Sequence, residues 1–332
     1  MSAKLTMGGL GRQGQWGNQV IQYAFIRAAA KRFGLDYELP AWAGQYLFGH
    51  VDPPITKTLP QFCETYQPTK HERIFGLPIP PGVSDLRDRN FSGYAQYHTS
   101  WYAPDKEFLL GLYDVVSPER ERVEPALDRL RGMGKTLIVL HLRRSDAGRM
   151  IFFLTPITWY LRWLREHWRR FENPILYIAT EEPALVRYFV HYQPVMMEGL
   201  GLVARQQPPN YVYPYGDRYH DLRQLDFFPD WYIMQHADIV AGSDSTFSFS
   251  AAWMNRHVRE YWRARLRTQR FEQIDPWNAE VSWREHLNDY PGIPGTQTDS
   301  NPIYGDHWRN YSAKHPSVPL DPEEIASLMT PE

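Results

Sequence analysis

Three short segments of this chain carry side chains whose types and spacing can do chemistry. The first, Gly14-Gln15-Trp16-Gly17-Asn18-Gln19-Val20-Ile21-Gln22-Tyr23-Ala24, sets small and amide residues immediately before an apolar periodicity. A helix beginning there exposes N–H groups and a partial positive charge, to which a phosphate or a sugar hydroxyl can dock. Gly17 and Asn18 can equally do no more than turn and cap it. The second segment is His141-Leu142-Arg143-Arg144-Ser145-Asp146, behind a continuous apolar run. Two adjacent arginines at the carboxyl end of a buried strand are costly unless they meet anions; an arginine fork matches a diphosphate, and a histidine nitrogen suits a base or a phosphate. A structural Arg–Asp pair beside a satisfied histidine is the plain alternative. The third, Asp244-Ser245-Thr246-Phe247-Ser248, offers hydroxyls and N–H groups to phosphate oxygens, although a capping box looks similar.

These segments need elements to hold them. Val20, Ile21, Ala24, Phe25, Ala28 and Ala29 recur at helical spacing, and Gly34 suits the position that ends such a helix. Upstream, Leu5 to Leu10 reads as a short strand weakened by glycine. Leu137–Leu140 and Ile175–Ala179 are apolar runs of the kind buried on both faces of a parallel sheet, and Ile239-Val240-Ala241 is a third. Glu181, Glu182 and Pro183 start a further helix. Strands alternating with helices predict α/β layers. Residues 40–100 read as loops and short elements, and 276–332 as a C-terminal wrap or tail.

Composition narrows the function. The chain has 332 residues, 43% apolar and 22% charged, as for a folded protein with room for two domains. Its formal charge of −2 gives no field for a long nucleic acid, which is not expected as a partner. Twelve Trp and 21 Tyr suit a sugar or nucleotide site as well as a core. A single cysteine, Cys63, can form neither an internal disulfide nor a Cys-based zinc site, which fits a reducing compartment. The Met1–Leu5 start lacks a signal-peptide pattern, and no run of about 18 apolar residues occurs. A cytoplasmic protein without a transmembrane segment is the expectation.

Taken in order, the three segments resemble the α-1,2-fucosyltransferase family and its wider clan of GDP-fucose-dependent enzymes. Gly17-Asn18-Gln19 through Gln22-Tyr23-Ala24 match the first family motif; His141–Asp146 match the second, with Ser145 in place of glycine. Ser245-Thr246-Phe247-Ser248 with Ala252-Trp253 match the third, with Asp244 in place of asparagine. Gly93-Tyr94 with Gln96, Asp230–Met234 and Tyr177–Glu181 are weaker matches, and the whole spans about residues 8 to 255. The resemblance implies a GT-B-type α/β architecture of two Rossmann-like domains facing a cleft. The expected division is 1–125 for the acceptor side, 126–275 for the GDP-sugar side and 276–332 for the tail. It implies an inverting transfer of L-fucose from GDP-β-L-fucose to a glycan hydroxyl, with GDP-fucose as donor substrate, no cofactor and no metal; the chain contains no Asp-x-Asp triplet. Arg143, Asn18 and Asp146 are the candidate catalytic residues. Gly17, Asn18, His141, Arg143, Arg144, Asp230, Asp244, Ser245, Thr246, Phe247 and Ser248 are the candidate donor contacts, with His141 and Asp230 near guanine. Asp244 would repel a diphosphate unless its carboxylate turned away.

Other readings compete. Gly9-Leu10-Gly11-Arg12-Gln13-Gly14 fits the dinucleotide fingerprint, with Asp36 or Glu38 at the distance of a ribose carboxylate, which points to an NAD-dependent oxidoreductase. That reading leaves the arginine and Ser-Thr segments unexplained. A transferase for another GDP-sugar and a nucleotide-sugar binder without activity also fit the residues.

Overall fold

The computed structural model describes residues 2–67, 77–116, 118–144, 154–202, 227–283 and 322–329. In chain order the first half holds β1 (Lys4–Thr6), α1 (Trp16–Phe33), β2 (Asp36–Glu38), α2 (Ala43–Phe48), β3 (Gln61–Cys63), β4 (Thr65–Gln67), β5 (Leu77–Ile79), α3 (Val83–Leu86), β6 (Arg89–Ser92) and α4 (Lys106–Gly111). The second holds α5 (Pro118–Gly132), β7 (Thr136–Leu142), α6 (Ile157–His167), β8 (Pro174–Thr180), α7 (Phe228–Gln235), β9 (Ile239–Gly242), α8 (Thr246–Trp253), β10 (Glu260–Arg265) and β11 (Arg270–Ile274). Two sheets result. The first runs β2-β1-β6-β3, all parallel; the second runs β11-β10-β9-β7-β8, parallel except for β11. These are the two Rossmann-like halves that the sequence predicts.

Each sheet has one place where successive connections leave in opposite directions: β1 lies between β2 and β6, and β7 between β8 and β9. Crevices at such points take ligands in open α/β sheets. β7 is buried along its full length, and its side chains alternate in destination. Leu137 and Val139 join a core that continues through Tyr113 to Phe25 and Phe91 of the first half, while Ile138, Leu140 and Leu142 join Tyr160, Trp163 and Phe271 on the other face.

Helix α1 closes as expected at Gly34, whose φ of 63° is the left-handed region that glycine enters without steric cost. It starts four residues earlier than its periodicity shows, because Gln15 provides no side-chain cap to mark the start. Residues 183–192 form a 3₁₀ helix where an ordinary helix is expected; Val186, Tyr188, Phe189 and Val190 are β-branched or aromatic and weak helix formers. Residues 125 and 126, where a division is expected, lie in α5, which packs on β7 and α7. From the expected tail, residues 276–283 return to the body of the molecule, as described below. Among the described residues no helix is long and apolar enough to cross a membrane.

Candidate functional site

The carboxyl end of β7 is fixed by its neighbour. The Ser243 N–H donates to the His141 carbonyl at 3.1 Å, and the Ser243 hydroxyl accepts the Arg143 N–H at 3.1 Å. The Tyr160 hydroxyl closes the arrangement, 2.8 Å from the His141 carbonyl and 2.7 Å from the Ser243 hydroxyl. His141 is buried, with its ring 5.3 Å from that of Phe247, and Arg143 is partly exposed. Arg144 goes the other way. Its backbone N–H donates to Glu181 and its guanidinium to the Thr155 carbonyl, both at 3.1 Å, and only 3% of it is exposed. Burial pushes its pKa below the usual arginine value, against the pull of Tyr160, Glu182 and Glu181. The Arg144 side chain thus fastens the motif to its surroundings, and Arg143 is the partly exposed arginine of the pair. Asp146 and Ser145 lie outside the described residues.

Behind β9, Ser245 caps α8 by accepting the Phe247 N–H, and Thr246 and Phe247 remain partly exposed. A helix start of this kind presents N–H groups without intrahelical partners. Buried Ser248 reaches the Ser245 carbonyl at 3.4 Å; Gly242 makes room for it, since a Cβ there would stand 2.7 Å from the Ser248 hydroxyl. Asp244 is turned inward. Its carboxylate accepts from the Ser282 hydroxyl at 3.1 Å and the Trp283 N–H at 3.2 Å, and stands 3.7 Å from the buried Arg263 guanidinium. The charge that would repel a diphosphate is thus matched within the protein by Arg263.

Helix α1 supplies the opposite wall. A Cβ on Gly17 would lie 2.4 Å from the carbonyl carbon and oxygen of Thr246, so only glycine allows the start of α1 to meet the start of α8. The first and third motifs are thereby in contact, at the end of the strand that carries the second. Next along α1, the Asn18 side-chain oxygen accepts from Gln96 at 2.7 Å. The loop before Gln96 is held by buried Glu64, whose carboxylate accepts the N–H groups of Tyr94 and Ala95, both at 3.0 Å, and by Gln22, which donates to the Gly93 carbonyl. Glu64 was not expected from sequence; a lone acid in an aperiodic stretch gives no signal until the fold brings the loop to it.

Asp230 lies in the first turn of α7, partly buried, and accepts a hydrogen bond from the Tyr177 hydroxyl of β8. Burial raises its pKa to about 7, opposed by the Tyr177 bond and assisted by Glu198 and Glu181. Its carboxylate caps no N–H of α7, and it can receive an N–H of a ligand.

The dinucleotide alternative fits the geometry poorly. Gly11 and Gly14 have φ of 79° and 75° and make a tight turn, and the helix behind them meets Thr246 at Gly17. Glu38, at the end of β2, is already bound by Lys4 and by the N–H and hydroxyl of Thr56. Although burial pushes its pKa up, these bonds hold it at about 2. Among the described residues no group of three His, Cys, Asp or Glu is placed to hold a metal ion.

No protein-family model matches the chain, and no curated protein matches it by sequence. Solved structures resemble it at low identity. The fucosyltransferase NodZ from Bradyrhizobium is 10% identical with a TM-score of 0.48, over 83% of this chain and 99% of its own. FUT1 of Arabidopsis thaliana, a mutant solved with GDP, is 7% identical with a TM-score of 0.48, over 82% and 74%. POFUT1 solved with GDP-fucose is 13% identical with a TM-score of 0.42, over 77% and 94%.

Proposed function

We propose that this chain is a glycosyltransferase that binds a GDP-sugar between α1 and the ends of β7 and β9, and that the sugar is L-fucose. One arrangement carries the reading: Gly17 meets Thr246, and the β7–β9 pairing sets His141 beside Gly242 and Ser243, so all three sequence motifs lie together. In this reading Arg143 and the first turn of α8 hold the diphosphate, Asp230 and His141 face guanine, and Asn18, steadied by Gln96, approaches the phosphate or the fucose.

The acceptor hydroxyl forms its bond to the anomeric carbon as the bond to the diphosphate oxygen breaks, with inversion. Positive charge spreads over the sugar ring, negative charge collects on departing GDP, and the hydroxyl proton passes to a base or to water. A fixed guanidinium and helix-end N–H groups stabilise that departing charge without requiring a divalent cation. Calorimetric titration with GDP and UDP tests the donor reading, and equal affinities end it. Donor turnover followed in EDTA tests the rest: activity that vanishes and returns with Mn²⁺ overturns the metal-independent mechanism.

A further inference from the structure

Residues 275–283 leave β11 and touch both walls of the crevice. At the first-half wall, the Thr99 N–H donates to the Ala279 carbonyl at 2.8 Å, and the Ala279 N–H returns to the Thr99 hydroxyl at 2.9 Å. Thr99 stands three residues beyond Gln96, the partner of Asn18. Trp277 lies between elements of both halves, its ring 5.3 Å from that of Trp253 in α8 and 5.4 Å from the ammonium of Lys106 in α4. At the second-half wall, the fully buried Arg263 donates to the carbonyls of Glu280 and Val281 at 2.8 and 2.7 Å. Its guanidinium stands 4.0 Å from the Trp283 ring, and Arg265 stands 4.1 Å from the same ring. Asp244 completes this end by holding Ser282 and Trp283 beside Arg263.

We propose that residues 275–283 form a strap that sets the spacing of the two crevice walls, and that Asp244 is a positioning residue acting through it. An amide at position 244 would leave the buried Arg263 cation without its counter-charge, and losing one partner of a buried ion pair is strongly destabilising. The carboxylate at this position is thus matched to an arginine on β10. The effect on donor binding rests on the reading above; the effect on the strap does not.

The test follows backbone amide exchange in the full chain. Asp244→Asn should speed exchange of Ala279 and, on the opposite wall, of Thr99 by about tenfold, the loss of roughly one hydrogen bond's worth of protection. Thr99→Val removes the hydroxyl that accepts the Ala279 N–H and alters no residue of the 243–249 segment. It should nevertheless speed exchange at 280–283 and 243–249 and weaken GDP binding about threefold to tenfold, while Thr99→Ser, which keeps the hydroxyl, restores both. Combining Asp244→Asn with Thr99→Val should do little more than the stronger single change, since both cut one connection. If Asp244→Asn does not fold, the two Thr99 variants decide. Exchange in Thr99→Val that changes only around residues 97–102 overturns the strap. A wild-type chain that takes up no GDP overturns the donor reading and leaves the exchange test standing.

Discussion

At the residue scale, the two site residues that bear the most on chemistry are held in contrasting ways. Arg143 is anchored by its backbone to Ser243 and keeps its side chain partly exposed at the strand end. Arg143→Ala should lower turnover by about a hundredfold to a thousandfold, as when a main transition-state donor is lost. Arg143→Lys should recover little, because a point charge cannot reproduce the guanidinium fork; steady-state rates with GDP-fucose check both. In the proposed reading Asp230 makes donor binding pH-sensitive. Its carboxylate can accept from guanine N1–H and the exocyclic amine, whereas uracil presents an acceptor there, so GDP should exceed UDP in affinity by about ten- to a hundredfold. Since the free carboxyl titrates near 7, GDP affinity should rise from pH 6 to pH 8, and Asp230→Asn should flatten that rise and shrink the nucleotide preference. For stability the sign is opposite. A carboxyl whose folded pKa is raised contributes fully below its unfolded pKa of about 4, and that contribution is lost as pH climbs to 7. The residue types here were legible in sequence, but their directions were not. Arg143 and Arg144 are adjacent and identical in type, and only burial against Thr155 and Glu181 separates their roles.

At the element scale, two glycines of α1 do different work, and substitution separates them. Gly17 is where the backbones of α1 and α8 meet, so Gly17→Ala drives a methyl group into the Thr246 carbonyl. Forced overpacking costs about 1–3 kcal/mol, and the strain falls on the crevice, so both melting temperature and GDP affinity should drop. Gly34 has open space around the position of a Cβ and pays only for its left-handed φ. Gly34→Ala should lower stability by about 1 kcal/mol and leave GDP binding unchanged in calorimetry. Strands β7, β8 and β9 were readable because strands buried on both faces show as apolar runs. Strands β10 and β11 were not, and neither was the strap. Arg263 sits in β10 with the residue type of a solvent-facing position, and it is fully buried only because Asp244 and two carbonyls from elsewhere in the chain satisfy it. Sequence patterning records the face of a strand, not a partner that arrives from another segment.

For the whole molecule, the relation between the halves decides how it unfolds. The larger core is continuous from Leu5 and Phe91 of the first sheet to Val240 and Phe249 of the second, which makes independent unfolding of the first half costly. Trp16, the first residue of α1, lies in that seam. Its ring stands 5.9 Å from those of Trp42 and Phe48 in the first half, and 5.3 and 5.5 Å from those of Phe227 and Trp231 in the second. Calorimetric melting of the wild type should therefore show one cooperative transition, although the length of the chain would permit two. GDP at about a hundred times its dissociation constant should stabilise the native state by about 2.7 kcal/mol and move the whole transition upward, since in the proposed reading it touches both walls. Trp16→Ala removes an aromatic that only 3% of its surface shows to solvent. The loss, about 3–5 kcal/mol, is taken from contacts between the halves as much as within one. The expected result is a transition that broadens or splits, with GDP restoring a single peak. A variant that melts at a lower temperature in one sharp step, with the same ligand shift as the wild type, would mean that the seam is held by the remaining contacts and that Trp16 serves the first half alone.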